Sequence, residues 1–405
     1  MSKCLIITSS YPFGPGEAFF KSELEEIAKE FSSVDLMPVR ARGDIQRDIP
    51  GNVRCLKPLL TSRIKDVANI LTSLESTIRH FIRIHKIQLP IVELLNCLRL
   101  GAAATRRRSQ LAKSRYDLIY LYWGFPFSAV LVPLSGLAPR VQRFHGSDIW
   151  GSSGGSELHH GIEAYAGEAQ VVFLSSQRGK DLLAATGKFS QEKLLVRYLG
   201  SGDQGIFSKT PFSEGLSISS NAFLTEGKRI ELIAQTVNAL SHQVPVSWTH
   251  VGGGSPEQIE RLRQLAGAKA RVSLCGTIHH SQLQAVLRKA RPNLHLSLSR
   301  SEGLAINVLE AMSADIPVIS SDVGAMREAV TPQAGLLVNE PLCTDPEELA
   351  KMILVETQPD GRLTKVSPRE VWLRLFDARK NAKEFAQELK KIANEGGVAN
   401  AVERP

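Results

Sequence analysis

Two glutamates, Glu302 and Glu310, stand with seven residues between them in SRSEGLAINVLEAMS, residues Ser299 to Ser313. A carboxylate accepts two hydroxyl hydrogen bonds, as a ribose diol or a sugar offers. Gly303 lets the backbone approach a ligand closely. The amides of Gly303, Leu304 and Ala305 would stand at a helix N-terminus, where unpaired N–H groups suit a phosphate or sugar oxygen. At about 100° per residue, Ala305, Val308, Leu309 and Met312 form a buried face, and Glu310 falls on another face with Ile306 and Gly303. Both glutamates can then point to one ligand, Glu302 from the loop and Glu310 from about two turns into the helix. The plain alternative is an acid favoured near a helix N-terminus at Glu302 and a solvated one at Glu310. Two glutamates at this spacing occur often by chance. The specificity comes from the glycine, the strand-like LHLSLS before the pair and IPVISSDVG after it.

Strands must position this loop. KCLIIT precedes the amphipathic FFKSELEEIAKEF; LIYLYW, RVQRFHG and AQVVFLSS follow as short apolar runs. The alternation restarts after about residue 207 with LSISSN, RIELIAQTVNAL, VSWTHVGGG, PEQIERLRQLAG and RVSLCGT, and continues through SQLQAVLRKA, LHLSLS, AINVLEAMS and IPVISSD. Short β-branched runs alternating with helices predict parallel sheets covered on both faces. Two such series predict two doubly wound α/β domains, residues 1–206 and 207–370, with the chain switching near Gly205 to Pro211. A helical tail, 371–405, ends in a frayed ANEGGVANAVERP. Ligands of open parallel sheets bind beyond the C-terminal strand ends, and two such domains facing each other would form a deep cleft.

Composition is consistent with this. The 405 residues exceed one typical core, and 43% hydrophobic with 22% charged residues suits a soluble globular protein. Five scattered cysteines without a C-x-x-C fit a reducing compartment and argue against a disulfide frame or zinc site. MSKCLIITSSYP makes a poor signal peptide and a good buried strand. The uncharged stretch Leu118 to Ala138 is long enough to span a bilayer, but Gly124, Pro126, Pro133 and Gly136 interrupt it, so it reads as a strand, a turn and a short apolar helix. The net charge of +8 is concentrated: Lys57 to Arg115 holds twelve Lys or Arg and three Asp or Glu, a surplus of nine. Ile64, Val67, Leu71, Leu74, Ile78 and Ile82 form one stripe there. A basic amphipathic helix can lie on an anionic membrane surface, or pack on its own domain with a solvated face. No nucleic-acid motif accompanies the charge.

The stretch Leu298 to Val330, LSRSEGLAINVLEAMSADIPVISSDVGAMREAV, resembles the donor-nucleotide motif of retaining glycosyltransferase family 4, whose fold is GT-B. SSYPFGPGEAFFKSELEEIA resembles that family's N-terminal Gly-rich loop and first helix, RFHGSDIW its His-Gly-Ser-Asp segment, and WTHVGGGSPEQIERL and VSLCGTI later loops of its donor domain. The tail resembles the helix that crosses back to the first domain. The resemblance implies that Glu310 binds ribose hydroxyls, that Glu302 contacts the transferred sugar, and that the amides of Gly303, Leu304 and Ala305 hold sugar and diphosphate. It also implies that Lys228 neutralises the diphosphate, where charge develops on leaving, that His145 reaches the donor sugar, and that Gly14, Gly16 and Glu17 line the acceptor side. Base contacts would come from backbone near Gly276, Thr277 and Ile278.

The implied activity is metal-independent transfer of a hexose-type sugar from a nucleotide-sugar donor to a glycan or lipid-linked acceptor, with no cofactor, on the cytoplasmic side and peripheral to the membrane. One departure stands out. Many members carry an arginine a few residues before the lysine, where this chain has Ser220, assigned with the donor-binding residues, and Asn221; Arg229 follows the lysine but, as its neighbour on a helix, would point about 100° away. Two alternatives follow: a nucleotide-sugar epimerase of the same fold, or a catalytically weak nucleotide-sugar-binding paralogue. No D-x-D occurs, and ELHHGIE (Glu157, His159, His160, Glu163) matches no standard metal spacing and reads as polar surface. GGGS, Gly252 to Ser255, lacks the G-K-[ST] of a P-loop.

Overall fold

The computed structural model describes residues 2–14, 17, 19–41, 43–44, 48–60, 89–150 and 160–396, without the side chains of Ser147, Trp150 and His160. The apolar stripe from Ile64 to Ile82, Gly16, Glu157 and His159 lie outside them. The chain divides into two units: residues 1–198 with 379–405, and residues 199–378.

The first unit is built on seven strands among the described residues: β1 Lys3–Thr8, β2 Ser33–Pro38, β3 Val53–Cys55, β4 Leu118–Leu121, β5 Arg140–Phe144, β6 Val171–Leu174 and β7 Leu194–Val196, in the order β3-β2-β1-β4-β5-β6-β7. All pairings are parallel. The order reverses between β1 and β4. Two apolar clusters cover the two faces, one including Leu5, Ile7, Ile119 and Leu121, the other Cys4, Ile6, Leu118 and Tyr120. The alternation of neighbouring residues between clusters is the period-two signature of a strand buried on both sides.

The stretch from Leu118 resolves as expected. β4 is fully buried, a loop follows, and Phe127–Leu131 is a single 3₁₀ turn rather than an α-helix. No helix among the described residues is long and apolar enough to cross a membrane.

Helix Ala378–Glu395 buries Phe385, Ala386, Leu389 and Ile392 in the core of the first unit. Its anchor is a buried ionic network. Arg143 Nη2 lies 3.1 Å from Glu23, both nearly inaccessible. The Tyr120 hydroxyl donates to Glu23 at 2.6 Å, Arg143 Nε donates to that hydroxyl at 3.0 Å, and the guanidinium sits 4.0 Å over the Phe385 ring. Arg197 adds a bidentate pair with Glu388 at 2.5 and 2.6 Å.

The second unit has six parallel strands among the described residues: β8 Leu216–Asn221, β9 Val246–Val251, β10 Arg271–Leu274, β11 Leu294–Ser297, β12 Val318–Ser321 and β13 Gly335–Val338, ordered β10-β9-β8-β11-β12-β13. Its reversal lies between β8 and β11. Both boundaries differ from the sequence expectation, for one reason. Residues 201–209 pack on the second unit: Gln204 N donates to Ser313 Oγ at 3.0 Å and Lys209 pairs with Asp315 at 3.1 Å. Helix Pro368–Leu375 stays there too, through Trp372 Nε1 to Ser201 Oγ at 2.9 Å and the Arg369–Asp203 pair at 2.7 Å. The return to the first unit therefore starts at Arg379, not 371.

Removing one partner of a buried pair leaves an uncompensated charge. Arg143→Met should destabilise the first unit by about 3 kcal/mol in urea unfolding, and Arg143→Met with Glu23→Gln should recover part of that loss. An additive double variant would refute the pairing.

Candidate functional site

In doubly wound sheets the crevice beyond the strand ends, where the strand order reverses, is where ligands bind. In the second unit the loops after β8 and β11 flank that reversal. They carry Lys228 and Glu302, and the two side chains form an ion pair. Lys228 is about one-third exposed and Glu302 about one-tenth. The backbone ties the same loops, since Arg300 N donates to Gly227 O at 2.8 Å.

Helix Ile306–Ser313 begins after this loop. Gly303, Leu304 and Ala305, expected at the helix N-terminus, form the turn that leads into it, with Ala305 as the cap. Among the described residues their three amides donate to no protein acceptor. The turn is held from below. Gly324, at φ +55°, packs so tightly that a Cβ there would lie 1.6 Å from the Glu302 carbonyl oxygen, and Ala325 N donates to Gly303 O at 3.3 Å. The sequence DVG by itself gives Gly324 no role; its contact with a loop 22 residues earlier is a tertiary fact.

Ala305, Val308, Leu309 and Met312 are buried, as the helical wheel requires. Glu310 is buried as well, which excludes the solvated reading. Burial raises its pKa to about 7. The neighbouring ring nitrogen is His280 Nε2, 3.5 Å from Oε1, a contact that becomes an ion pair only when that ring is protonated and the carboxyl ionised. Nothing in the sequence singles out His280. Asn307, likewise missed, donates to the Asn221 carbonyl at 2.9 Å and joins the helix to the end of β8. Gly276 (φ +64°), Thr277 and Ile278 follow β10, with Gly276 O accepting from Gly252 N at 2.9 Å.

One expectation is corrected and one open question is answered. Ser220 does not present its side chain to a ligand. Its Oγ is buried, accepting from Trp248 Nε1 at 2.9 Å and bonded to His250 Nδ1 at 2.8 Å, so it serves the sheet interior. Arg229 does not stand in for the absent arginine. It is not inside a helix but caps one in the left-handed conformation, φ +50°, and its guanidinium is bidentate with Glu340, both bonds 2.8 Å.

In the first unit the residues sit beyond β1, β4 and β5, at the other reversal. Gly14 adopts φ +67° and its N donates to Asp44 O at 3.2 Å. Glu17 is not a free acceptor-side group. Its carboxylate accepts from the amides of Ser9, Ser10 and Tyr11 at 2.9, 2.7 and 2.6 Å and from Trp123 Nε1, so it shapes the loop that carries it. His145 is buried among Trp123, Tyr122 and Phe19, with ring centroids at 4.5, 4.8 and 5.8 Å. Its Nε2 lies 2.9 Å from Tyr122 O; a carbonyl only accepts, so Nε2 carries the proton and Nδ1 keeps a lone pair. Burial, then the charge of Arg143, lowers its pKa to about 3 despite that bond. His145 is therefore a neutral hydrogen-bonding group across the physiological range. Asp148, which accepts from His145 N at 2.8 Å, is pushed up to about 7 by burial. Glu163 lies in a 3₁₀ turn, and no group of three potential metal ligands occurs among the described residues.

Glu310 makes the protein's stability pH-dependent. Its folded pKa exceeds the ordinary carboxylate value of 4.5, so its stabilising contribution is complete below that value and lost as pH rises through about 7. Glu310→Gln should gain stability over wild type between about pH 5 and pH 8, on the order of 2 kcal/mol, in thermal unfolding of the ligand-free protein. A pH-independent difference would contradict the buried carboxylate.

Parts of this chain, and its fold, are similar to known proteins. Residues 218–355, most of the second unit, match the family model described as Glycosyl transferases group 1. The chain is 26% identical over 148 residues to a subunit of the phosphatidylinositol N-acetylglucosaminyltransferase of Arabidopsis thaliana, covering 36% of this chain and 32% of that one. It is 38% identical over 116 residues to the O-antigen biosynthesis glycosyltransferase WbnH of Escherichia coli, covering 28% and 31%. The matched part thus spans about a third of each relative. Among solved structures, HepE of Anabaena in complex with UDP aligns over 96% of this chain and 100% of that one, with TM-score 0.63 and 18% identity. The fold is that of the GT-B glycosyltransferases, and residues 218–355 carry the similarity to glycosyl transferases group 1.

Proposed function

We propose that the chain is a retaining, metal-independent glycosyltransferase that moves a hexose-type sugar from a nucleotide-sugar donor to a glycan or lipid-linked acceptor. The observation that carries this reading is the set of three unpaired amides, Gly303 to Ala305, between the Lys228–Glu302 pair and the buried Glu310 at the reversal of the second sheet. A nucleoside diphosphate sugar needs each of these: donors for phosphate oxygens, a cation for the charge that develops on leaving, and a carboxylate for the ribose diol. The group 1 match over the same residues and the UDP bound by HepE support it.

In this reading Lys228 and the amides neutralise the diphosphate without a metal bridge. The donor draws Lys228 toward phosphate and frees Glu302 to meet the sugar. The acceptor hydroxyl attacks from the face that the diphosphate leaves, and the departing phosphate oxygen takes its proton. His145 offers a neutral Nδ1 acceptor suited to a sugar hydroxyl. Backbone at Gly276 to Ile278 supplies base contacts. The chemistry of the relatives, N-acetylglucosaminyl transfer and O-antigen synthesis, fits cell-surface glycan or glycolipid synthesis.

A second reading, a weakly active nucleotide-sugar-binding paralogue, is favoured by one observation. Arg229 is committed to Glu340, which leaves Lys228, among the described residues, as the sole cation of its loop directed at the site.

A cytoplasmic, membrane-peripheral location also fits. Helix Ile91–Lys113 exposes Ile91, Val92 and Leu95 in its first turns and Arg106 and Lys113 in its last ones. At about 100° per residue these five side chains share one face. Apolar insertion next to basic residues is the pattern of an interfacial helix on anionic lipid.

Thermal unfolding with UDP, GDP and ADP decides the donor site. One of the three should raise the midpoint by about 2–4 °C at a concentration near 100 times its Kd, and Glu310→Ala should abolish the shift. No shift with any of them sinks the reading. For the membrane, flotation with phosphatidylglycerol vesicles should retain the protein at low salt and lose it as salt rises. Equal binding to phosphatidylcholine vesicles would remove the electrostatic argument.

A further inference from the structure

Glu310 is a poor ribose ligand when protonated, because only the carboxylate offers two full acceptors. Burial favours the protonated form. Something in the site must oppose this for a diol to bind well near neutrality. On the elements packed against helix Ile306–Ser313 and beside it, Arg369 pairs with Asp203, Glu370 accepts from Gln333, Arg374 is engaged by other groups, Asp315 pairs with Lys209 and Lys228 with Glu302. His295 of β11 is buried and bonds Ser219 at 3.0 Å. The remaining partner is His280, on the turn that follows the Gly276–Ile278 loop.

The position of His280 is built locally. His279 to Gln282 forms a reciprocal cap: His279 N donates to Gln282 Oε1 at 3.0 Å, and Ser281 N donates to His279 Nδ1 at 3.4 Å. This closes the 3₁₀ turn His280–Gln282 and aims the His280 ring at Glu310. At 3.5 Å the contact is longer than a direct hydrogen bond. The ring is two-thirds exposed, so it meets Glu310 from the solvent side.

We propose that His280 is a positioning residue for the nucleotide ribose, holding the Glu310 carboxylate in its acceptor form and orientation and thereby making ribonucleotide binding depend on pH. This rests on the donor-site reading above. The imidazolium favours the neighbouring carboxylate electrostatically. The two groups then act as one unit on the diol: Glu310 accepts its hydroxyls, and the His280 turn covers them from the loop that carries the base contacts. The unit discriminates ribose from a sugar lacking both hydroxyls, because such a ligand leaves the carboxylate buried and unsatisfied.

Two measurements test it. The first is calorimetric titration of the full chain with UDP, GDP and ADP, and with the 2′,3′-dideoxy form of whichever binds, for wild type, His280→Ala and His280→Gln at about pH 6, 7 and 8. His280→Ala should weaken the ribonucleotide by about two- to fivefold at the lower pH, the range of an exposed ion pair, with the ratio approaching one at the upper pH. The dideoxynucleotide should be unaffected. His280→Gln, which keeps a donor but not the charge, should match wild type only at the upper pH. Equal losses for both nucleotides, or a pH-independent ratio, would overturn the proposal while leaving the donor site standing. Failure of wild type to bind any of the three would overturn both. The second measurement needs no ligand. The His280 ring resonances should move between wild type and Glu310→Gln at one fixed pH, and superimposable resonances would refute the contact.

Discussion

Every strand pairing among the described residues of both units is parallel, and most strands of each sheet are buried. That constraint governs where everything else can be. A strand buried on two sides has no room for unpaired polar chemistry along its length. The groups that serve a ligand are therefore confined to loops beyond the strand ends, and those loops part where the strand order reverses. Lys228, Glu302 and the turn Gly303–Ala305 occupy that place in one sheet. Glu17, Trp123 and His145 occupy it in the other. The polar residues that do lie inside the second sheet, Ser219, Ser220, His250 and His295, bond to one another or to Trp248, which meets part of their hydrogen-bonding capacity.

Within each unit the charged groups beyond the strand ends are held by other groups of that unit. Lys228 neutralises Glu302, His280 stands against Glu310, and Glu17 is saturated by its own loop. Each pairing lowers the cost of keeping a charge partly buried. Each also means that a ligand must exchange partners rather than fill a vacancy. The three amides are the exception: among the described residues they donate to no protein acceptor, in a turn that Gly324 packs against at the Glu302 carbonyl.

Much of the architecture was legible in the chain. Apolar runs of strand length alternating with amphipathic helices specify parallel sheets, and burial of Ala305, Val308, Leu309 and Met312 follows from helical periodicity. The pairing of Glu302 with a glycine at a strand end pointed to a loop that flanks the reversal of the second sheet. The domain boundaries were less legible. Whether residues 201–209 belong to one unit or the other is decided by Ser313 and Asp315, more than a hundred residues away.

The sequence by itself determined the fold class, the loop that carries the candidate site and the face of the helix on which Glu310 lies. These depend on local periodicity and on residue type, which a chain carries without reference to its folded form. Only the tertiary structure decided the partners. Arg229 turns to Glu340, Ser220 turns to His250 and Trp248, Glu17 caps its own loop, and His280 meets Glu310. A charge or hydroxyl has the same chemistry in any context. Whether it faces a ligand or the protein depends on which groups distant in the chain the fold brings within about 3 Å, the range of a hydrogen bond.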